Sequence, residues 1–393
     1  MVVSTKTDVV IVDAVRTPIG KFQGRVSQFS ATDLGAHVIR ALKERNSLKG
    51  DEVDEAILGS VVQAGLGQAP ARQASIRGGL SPSVPAVAVN KVCGSGLKAV
   101  ILAAQAIKAE DAKIMIAGGM ESMSNAPYVL KGARQGLRYG DQKFIDAMIH
   151  DGLWCAFEGH HMGNSAEYTA EKSSISRADQ DRLALESHRK AIQATEQGKF
   201  KNELIPLTAK DGPIDRDESP RADTSLEKLS QLKPAFKEKG TVTAGNAPGL
   251  NDGASALLLT TREEARKRGW KPLAEIVEYA VAATEPLDLF YAPVFSTRKL
   301  LGKMGVKVDY FDLIEVNEAF ASQALADGKE LEWGWERVNV NGGAIALGHP
   351  IGASGARILT TLIWAMRDRG ANTGLATICM GGGNGISLAV KRA

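Results

Sequence analysis

Cysteine is scarce. Cys93, Cys155 and Cys379 are the only three in 393 residues, which excludes the disulfide framework of a small secreted protein and fits a reducing cytoplasm. No run of about eighteen apolar residues occurs, so a transmembrane helix is not expected. Lysine and arginine number 48 against 45 acidic residues, and the cations are spread along the chain rather than gathered in a tail. Nucleic acid and membranes are therefore not expected partners, while the slight excess suits a small anionic substrate. Near the N-terminus an apolar run of four is cut by Asp13, which suits a first strand better than a secretory signal, and the closing VKRA is no peroxisomal address.

Several catalytic signatures are also missing. There is no GxxxxGK[ST] phosphate loop, and GSGLKA and GGGNGI both lack the third glycine of a dinucleotide fingerprint. The absence of GxSxG counts against that type of serine hydrolase. The six histidines form no HExxH, and there is no CxxC, so a metal site has no support.

What is present centres on VAVNKVCGSGLKAV, Val87 to Val100. Val87 and Val89 alternate as in a strand, Gly94-Ser95-Gly96 permits a tight turn, and Leu97, Val100, Ile101 and Ala104 follow helical spacing. Cys93 is thereby placed near a helix N-terminus, whose partial positive charge is expected to lower the thiol pKa and supply a nucleophile. A buried cysteine packed as a small hydrophobe is the competing reading.

The rest of the chain has an α/β rhythm. Strands are expected at Asp8–Ala14, Val53–Gln63, Ala112–Gly119, Ser255–Leu259, Glu275–Val281 and Leu313–Val316, with helices at Ala31–Arg45 and Gln73–Gly78. Between about Ser122 and Asn251 the texture turns polar, with a helical patch at Arg177–Gln197, and resembles an insertion. An internal echo points to two related halves: VAVN at Val87 is matched by VNVN at Val338, and IMIAGGMES at Ile114 by TICMGGGNG at Thr377. Both members are expected to be strands, with their ends facing one cleft.

Three further motifs carry candidate chemistry. His349 lies between Gly348 and Pro350 in a glycine-rich loop at a helix entrance, either a positioned base or a structural histidine. Cys379 precedes Gly381 to Gly385, where free backbone N–H groups could serve an oxyanion; it reads as a second acid/base thiol or as a core cysteine. In EVNEAFA, Asn317 could anchor a water, or Asn317 and Glu318 could be a helix cap and first-turn acid.

Together, VCGSGLKAV at Cys93, GGMESMSNAPY at Gly118, TAGNAPGLNDGA at Thr243, NEAF at Asn317, NVNGGAIALGHPIGASG at Asn339 and CMGGGNG at Cys379 resemble the thiolase family over nearly the whole chain. The resemblance implies the thiolase fold: two similar αβα halves forming a five-layered αβαβα core, with an inserted loop domain. The halves would be 1–121 with 250–273, and 274–393; the insertion, 122–249, would bind coenzyme A and carry tetramer contacts around Asn125 to Gly140. Cys93 would be the acylated nucleophile, His349 its base, and Cys379 the acid/base that forms an enolate. Asn317 would hold a water beside His349, and the N–H groups of Cys93 and Gly381 would form a second oxyanion site. Leu153, His161, Met162, Arg221, Phe236, Ala244, Pro248, Ala319 and Phe320 would bind coenzyme A, with Arg221 at its nucleotide end.

The implied activity is reversible condensation of two acetyl-CoA molecules to acetoacetyl-CoA, with no cofactor, in a cytoplasmic homotetramer. HHMGNSAE resembles the short-chain branch of the family. Two departures stand out. Pro248 takes the place of a serine that bonds pantetheine, and in LFYAP, Leu289 to Pro293, Phe290 and Tyr291 replace small residues beside the acyl pocket. Cleavage of longer or branched 3-ketoacyl-CoA is the alternative activity, and an acyl-CoA-binding scaffold in a multienzyme assembly is the alternative of another class.

Overall fold

The structure is a computed structural model and describes residues 8–393; residues 1–7, which open the N-terminal stretch read against a secretory signal, lie outside it. Strand β1 (Val9–Arg16) is buried throughout, as its near-continuous apolar run requires of a strand covered on both faces. Helix α1 (Ala31–Arg45) begins at a capping box in which Ser30 and Asp33 each satisfy the other's backbone N–H. Next come β2 (Glu55–Gly59), α2 (Pro70–Arg77), β3 (Ala86–Val89), α3 (Ser95–Lys108) and β4 (Ile114–Ser122). The chain then leaves the main sheet for an excursion that carries α4 (Met162–Lys172), α5 (Arg177–Glu196) and three small hairpin-like strand pairs. It returns at β5 (Asn251–Thr261) and continues through β6 (Ala274–Ala283), α6 (Ala292–Met304), β7 (Leu313–Val316), α7 (Ala321–Leu331), α8 (Ile351–Arg369), β8 (Thr373–Met380) and β9 (Asn384–Arg392).

The strands follow the order β7-β8-β9-β6-β1-β5-β4-β2-β3. Each half traces one path, β3-β2-β4-β5-β1 in the first and β7-β8-β9-β6 in the second, and they meet where Val10 and Ile11 pair with Glu275 and Ala274. Pairing is parallel where helices cross over, in β2–β3, β2–β4 and β7–β8, and antiparallel elsewhere.

The second half lacks the strand expected at Val338–Asn341. Val338 makes one bridge to Ile314. Asn339 then adopts a left-handed φ of 45°, and its side-chain amide receives the Val316 N–H at 2.9 Å and donates to the Val316 carbonyl at 3.0 Å. A side chain thus occupies the ladder position of a neighbouring strand, as asparagine does when it competes with backbone pairing. The echo with Val87–Asn90 survives in position but not in secondary structure.

Alternation along the strands sorts the core into layers. Val9 and Ile11 of β1, Leu257 and Leu259 of β5, and Ala376 and Ile378 of β8 face an inner core shared with α3 and α8. Val10 and Val12 face α1 and α2 on one outer side, while Leu375 and Ala389 face α6 and α7 on the other. The five layers are therefore α1/α2, sheet, α3/α8, sheet and α6/α7. Helix α8 is buried on every side from Ile351 to Ile363, as a helix between two sheets must be. No helix among the described residues is long and apolar enough to cross a membrane.

The two inner helices touch backbone to backbone. A Cβ on Gly355 would lie 2.6 Å from the Leu97 nitrogen, and one on Gly96 2.8 Å from the Ala356 nitrogen. Glycine at both positions lets the N-terminal ends of α3 and α8 come together.

Candidate active site

The loops entering α3 and α8 and leaving β7 and β8 converge at the carboxyl ends of the strands, the usual position for a ligand in such folds. Cys93 lies between β3 and α3. Just before it, Val92 holds φ at 47°, a left-handed conformation that costs a β-branched residue strain energy. Ser95 maintains it, donating from Oγ to the Val92 carbonyl at 2.6 Å and accepting the Lys91 N–H at 2.8 Å.

The charge state of Cys93 corrects the expectation of a lowered pKa. Burial pushes the thiol up to about 12, and the nearby Glu121 carboxylate adds to the rise; only the N–H groups of Cys93 itself and of Gly381 oppose it. Desolvation outweighs the fractional charge of a helix end. Both N–H groups nevertheless reach the sulfur, and a thiol in this state would need a base to act as a nucleophile.

His349 fits that role. Its N–H donates to Asn251 Oδ1 at 2.8 Å, fixing the loop where Gly348 takes φ 111°. His349 Nδ1 is 2.6 Å from Ser354 Oγ, whose own proton goes to the Pro350 carbonyl at 2.9 Å. Nδ1 must therefore carry the hydrogen, which leaves a lone pair on Nε2. Burial, with a smaller contribution from Arg357, lowers the imidazole to about 3, so it is neutral and able to accept a proton.

Asn317 stands at the end of β7 with Nδ2 3.5 Å from His349 Nε2, and its buried Oδ1 has no partner in the protein. The helix-cap reading of Asn317 and Glu318 is not realised: α7 starts at Ala321 with no side-chain cap. Glu318 instead accepts from Ser187 Oγ and Asn339 Nδ2, each at 2.8 Å, and from the Ile345 N–H at 3.1 Å, so it braces the loop that leads to His349. Cys379 is the next-to-last residue of β8, 1% exposed. Burial holds its thiol well above the ordinary value, and neighbouring Cys93 adds to the effect.

One mainly apolar cavity of about 340 Å³ contains Cys93, His349, Cys379 and Gly381 in its wall. The expected residues Leu153, Met162 and Ala244 line it, as do Pro248 and Ala319. An aromatic side completes it: His161 stacks on Phe236 at 4.8 Å, Phe236 meets Phe320 edge-on at 6.1 Å, and Phe320 meets Phe290 edge-on at 5.4 Å. His161 Nδ1 accepts the Gly163 N–H at 3.0 Å and caps α4.

Arg221 does not line this cavity. It lies in an adjoining chamber of about 410 Å³ that shares Ala244, Ala247, Gly249 and Leu250 with the first and also contains Lys21 and His188. The Arg221 N–H donates to His188 Nδ1 at 3.1 Å. Burial first, and then the Arg221 charge, lower His188 to about 4.

Other wall residues stand out less in the sequence. Met148 and Ile149 sit in an irregular helical turn, Met148–Leu153, and belong to none of the motifs; Met123 and Ile351 pack beside Cys93 and lie inside GGMESMSNAPY and NVNGGAIALGHPIGASG, but as plain apolar residues they carry no chemical signal there. Of the two bulky residues in LFYAP, only one faces the site. Phe290 lines the cavity, whereas Tyr291 turns away and its hydroxyl lies 2.6 Å from Ser173 Oγ.

Comparison with known proteins agrees with this arrangement. The family model described as Thiolase, N-terminal domain matches residues 9–263, and Thiolase, C-terminal domain matches residues 270–392. An acetyl-CoA acetyltransferase of Pseudomonas aeruginosa is 54% identical over 98% of this chain and 99% of its own. One from Cupriavidus necator is 50% identical over 98% of this chain and all of its own. The crystal structure of the Bacillus anthracis acetyl-CoA acetyltransferase superposes with a TM-score of 0.96 at 40% identity, covering 99% of both chains. With two thiols, a neutral histidine and a backbone N–H cradle on this fold, the chain belongs to the thiolase family of acyltransferases.

Proposed function

We propose that this protein is an acetyl-CoA C-acetyltransferase, joining two acetyl-CoA molecules into acetoacetyl-CoA and free CoA, reversibly. The observation that carries the reading is a protonated Cys93 thiol sharing one cavity with the free Nε2 lone pair of His349 and the buried thiol of Cys379. His349 Nε2 takes the Cys93 proton as the sulfur attacks the thioester carbonyl and keeps it, while the Cys379 thiol gives its own proton to the departing CoA sulfur. The N–H groups of Cys93 and Gly381 receive the oxyanion of that step. Cys379, left as the thiolate by that transfer, then removes the α-proton of a second acetyl-CoA. His349, through the Nε2–H it now carries, and Asn317 stabilise the enolate oxygen while its carbon attacks the acyl group on Cys93 and forms the C–C bond; the tetrahedral adduct then expels the Cys93 sulfur, which takes its proton back from His349.

Coenzyme A thioesters are the substrates in this reading, and no further cofactor takes part. The pantetheine arm runs along the aromatic side, and the anionic nucleotide end lies in the outer chamber near Arg221. Pro248 lends that wall a ring without a hydroxyl or N–H, so apolar contact replaces a hydrogen bond there. The inserted segment, 122–249, supplies most of these contacts and the surface for a cytoplasmic homotetramer. CoA-dependent loss of acetoacetyl-CoA enolate absorbance tests the reading: the wild type cleaves it and Cys93→Ala does not. Equal turnover by both would overturn the assignment of Cys93.

A further inference from the structure

The two cysteines have separate apolar surroundings. Cys93 packs with Val62, Met123, Met148 and Ile351, whereas Cys379 packs with Leu289, Phe290 and Phe320. If Cys93 holds the acyl group and Cys379 removes the α-proton, these surroundings touch different carbons of a 3-ketoacyl-CoA. The Cys93 side meets the chain beyond the keto carbon, and the Cys379 side meets any substituent on C2.

On the Cys379 side the wall is fixed. Phe290 is 2% exposed and wedged against Phe320. Its neighbours in sequence are anchored outward, Tyr291 to Ser173 at 2.6 Å and Asp288 to Lys172 at 2.6 Å, so the 3₁₀ turn Pro286–Tyr291 that carries the ring is tied to α4 on both flanks. Ala292 is held from the other side, since the end of the final hairpin packs so closely that a Cβ on Gly385 would lie 2.1 Å from the Ala292 carbonyl oxygen. The backbone that carries the ring is thus held on both sides, and the ring's open side is the cavity itself.

We propose that Phe290 is a specificity-determining residue that excludes substituents at C2, restricting the enzyme to 3-ketoacyl-CoA with an unbranched α-carbon, and that it acts independently of chain length. The inference rests on the roles given above to Cys93 and Cys379. A rigid wall against one additional methyl group discriminates by about tenfold to a hundredfold.

The experiment measures kcat/KM for CoA-dependent cleavage of acetoacetyl-CoA, 2-methylacetoacetyl-CoA and 3-ketohexanoyl-CoA by wild type, Phe290→Ala and Phe290→Leu, with a thermal melt to establish folding. The expected result is that Phe290→Ala raises the ratio of 2-methylacetoacetyl-CoA to acetoacetyl-CoA by about tenfold or more, with Phe290→Leu between it and wild type. The ratio of 3-ketohexanoyl-CoA to acetoacetyl-CoA stays within about twofold. Because each ratio is internal to one variant, a general loss of activity cancels. Wild type that already cleaves the 2-methyl substrate as well as the unbranched one, or an unchanged branched ratio in Phe290→Ala, overturns the proposal, as does a parallel rise in the six-carbon ratio. Cleavage of no 3-ketoacyl-CoA by the wild type would instead remove the thiolase reading on which the proposal stands.

Discussion

At residue scale, the pKa of Cys93 is set by a contest that sequence could only half describe. VCGSG correctly places the cysteine two residues before a helix, and a helix end carries roughly half a charge. The opposing effect comes from residues far apart in the chain, Met123, Ile351 and Glu121, which surround the sulfur with apolar atoms and a buried carboxyl group whose own pKa is raised to about 7. The thiol pKa is raised, so the thiolate is the minor form at neutral pH and its fraction grows as pH rises toward 12. Alkylation of Cys93 by iodoacetamide, followed on its own peptide by mass spectrometry, is therefore expected to accelerate by about tenfold per pH unit between pH 7 and 9. A plateau by pH 8 would show that the helix end prevails. His349 was legible as a candidate from its glycines and proline, but its tautomer was not, because that depends on where Ser354 sends its single proton.

At element scale, the match between pattern and structure is uneven for identifiable reasons. Helix α1 and strand β7 have the boundaries their patterns predict, Ala31–Arg45 and Leu313–Val316. Val338–Asn341 alternates as a strand should, yet a left-handed asparagine ends pairing after one bridge; alternation reports burial and is silent about what a side-chain amide will do. The contact between α3 and α8 matters most for the site, since Cys93 and His349 precede these two helices. Gly355→Val places new carbons against the Leu97 backbone, which cannot move as a side-chain tip would. Overpacking of this kind costs about 3 kcal/mol. The expected outcome is a urea midpoint lowered by about that free energy and a kcat for acetoacetyl-CoA cleavage reduced at least as strongly as the affinity. Unchanged stability and turnover would mean that the two helices adjust without disturbing the residues at their heads.

At the scale of the whole molecule, the two stacked sheets explain why two cysteines 286 positions apart, 93 and 379, reach one cavity: Cys93 leads into α3, the inner helix of the first half, and Cys379 lies near the carboxyl end of β8 in the second. The doubled core accounts for the interior but not for the surface of the inserted segment. There, Tyr128–Val129 and Ile145–Asp146 form a strand pair only two residues long. The connecting loop exposes Leu137, Tyr139 and Phe144, with no cover for their apolar faces. A lone two-stranded hairpin is marginal in water, and clustered exposed hydrophobics mark an interaction surface. A second copy of this chain is the expected cover, in keeping with the closed symmetry of most homo-oligomers. Light scattering is expected to return the mass of four chains for the wild type and about half of it for Leu137→Ser combined with Tyr139→Ser, because the loop would join pairs rather than build each pair. A single-chain mass for the wild type would remove the assembly. A four-chain mass for the double variant would place the contact elsewhere and leave the exposed loop without a role in it.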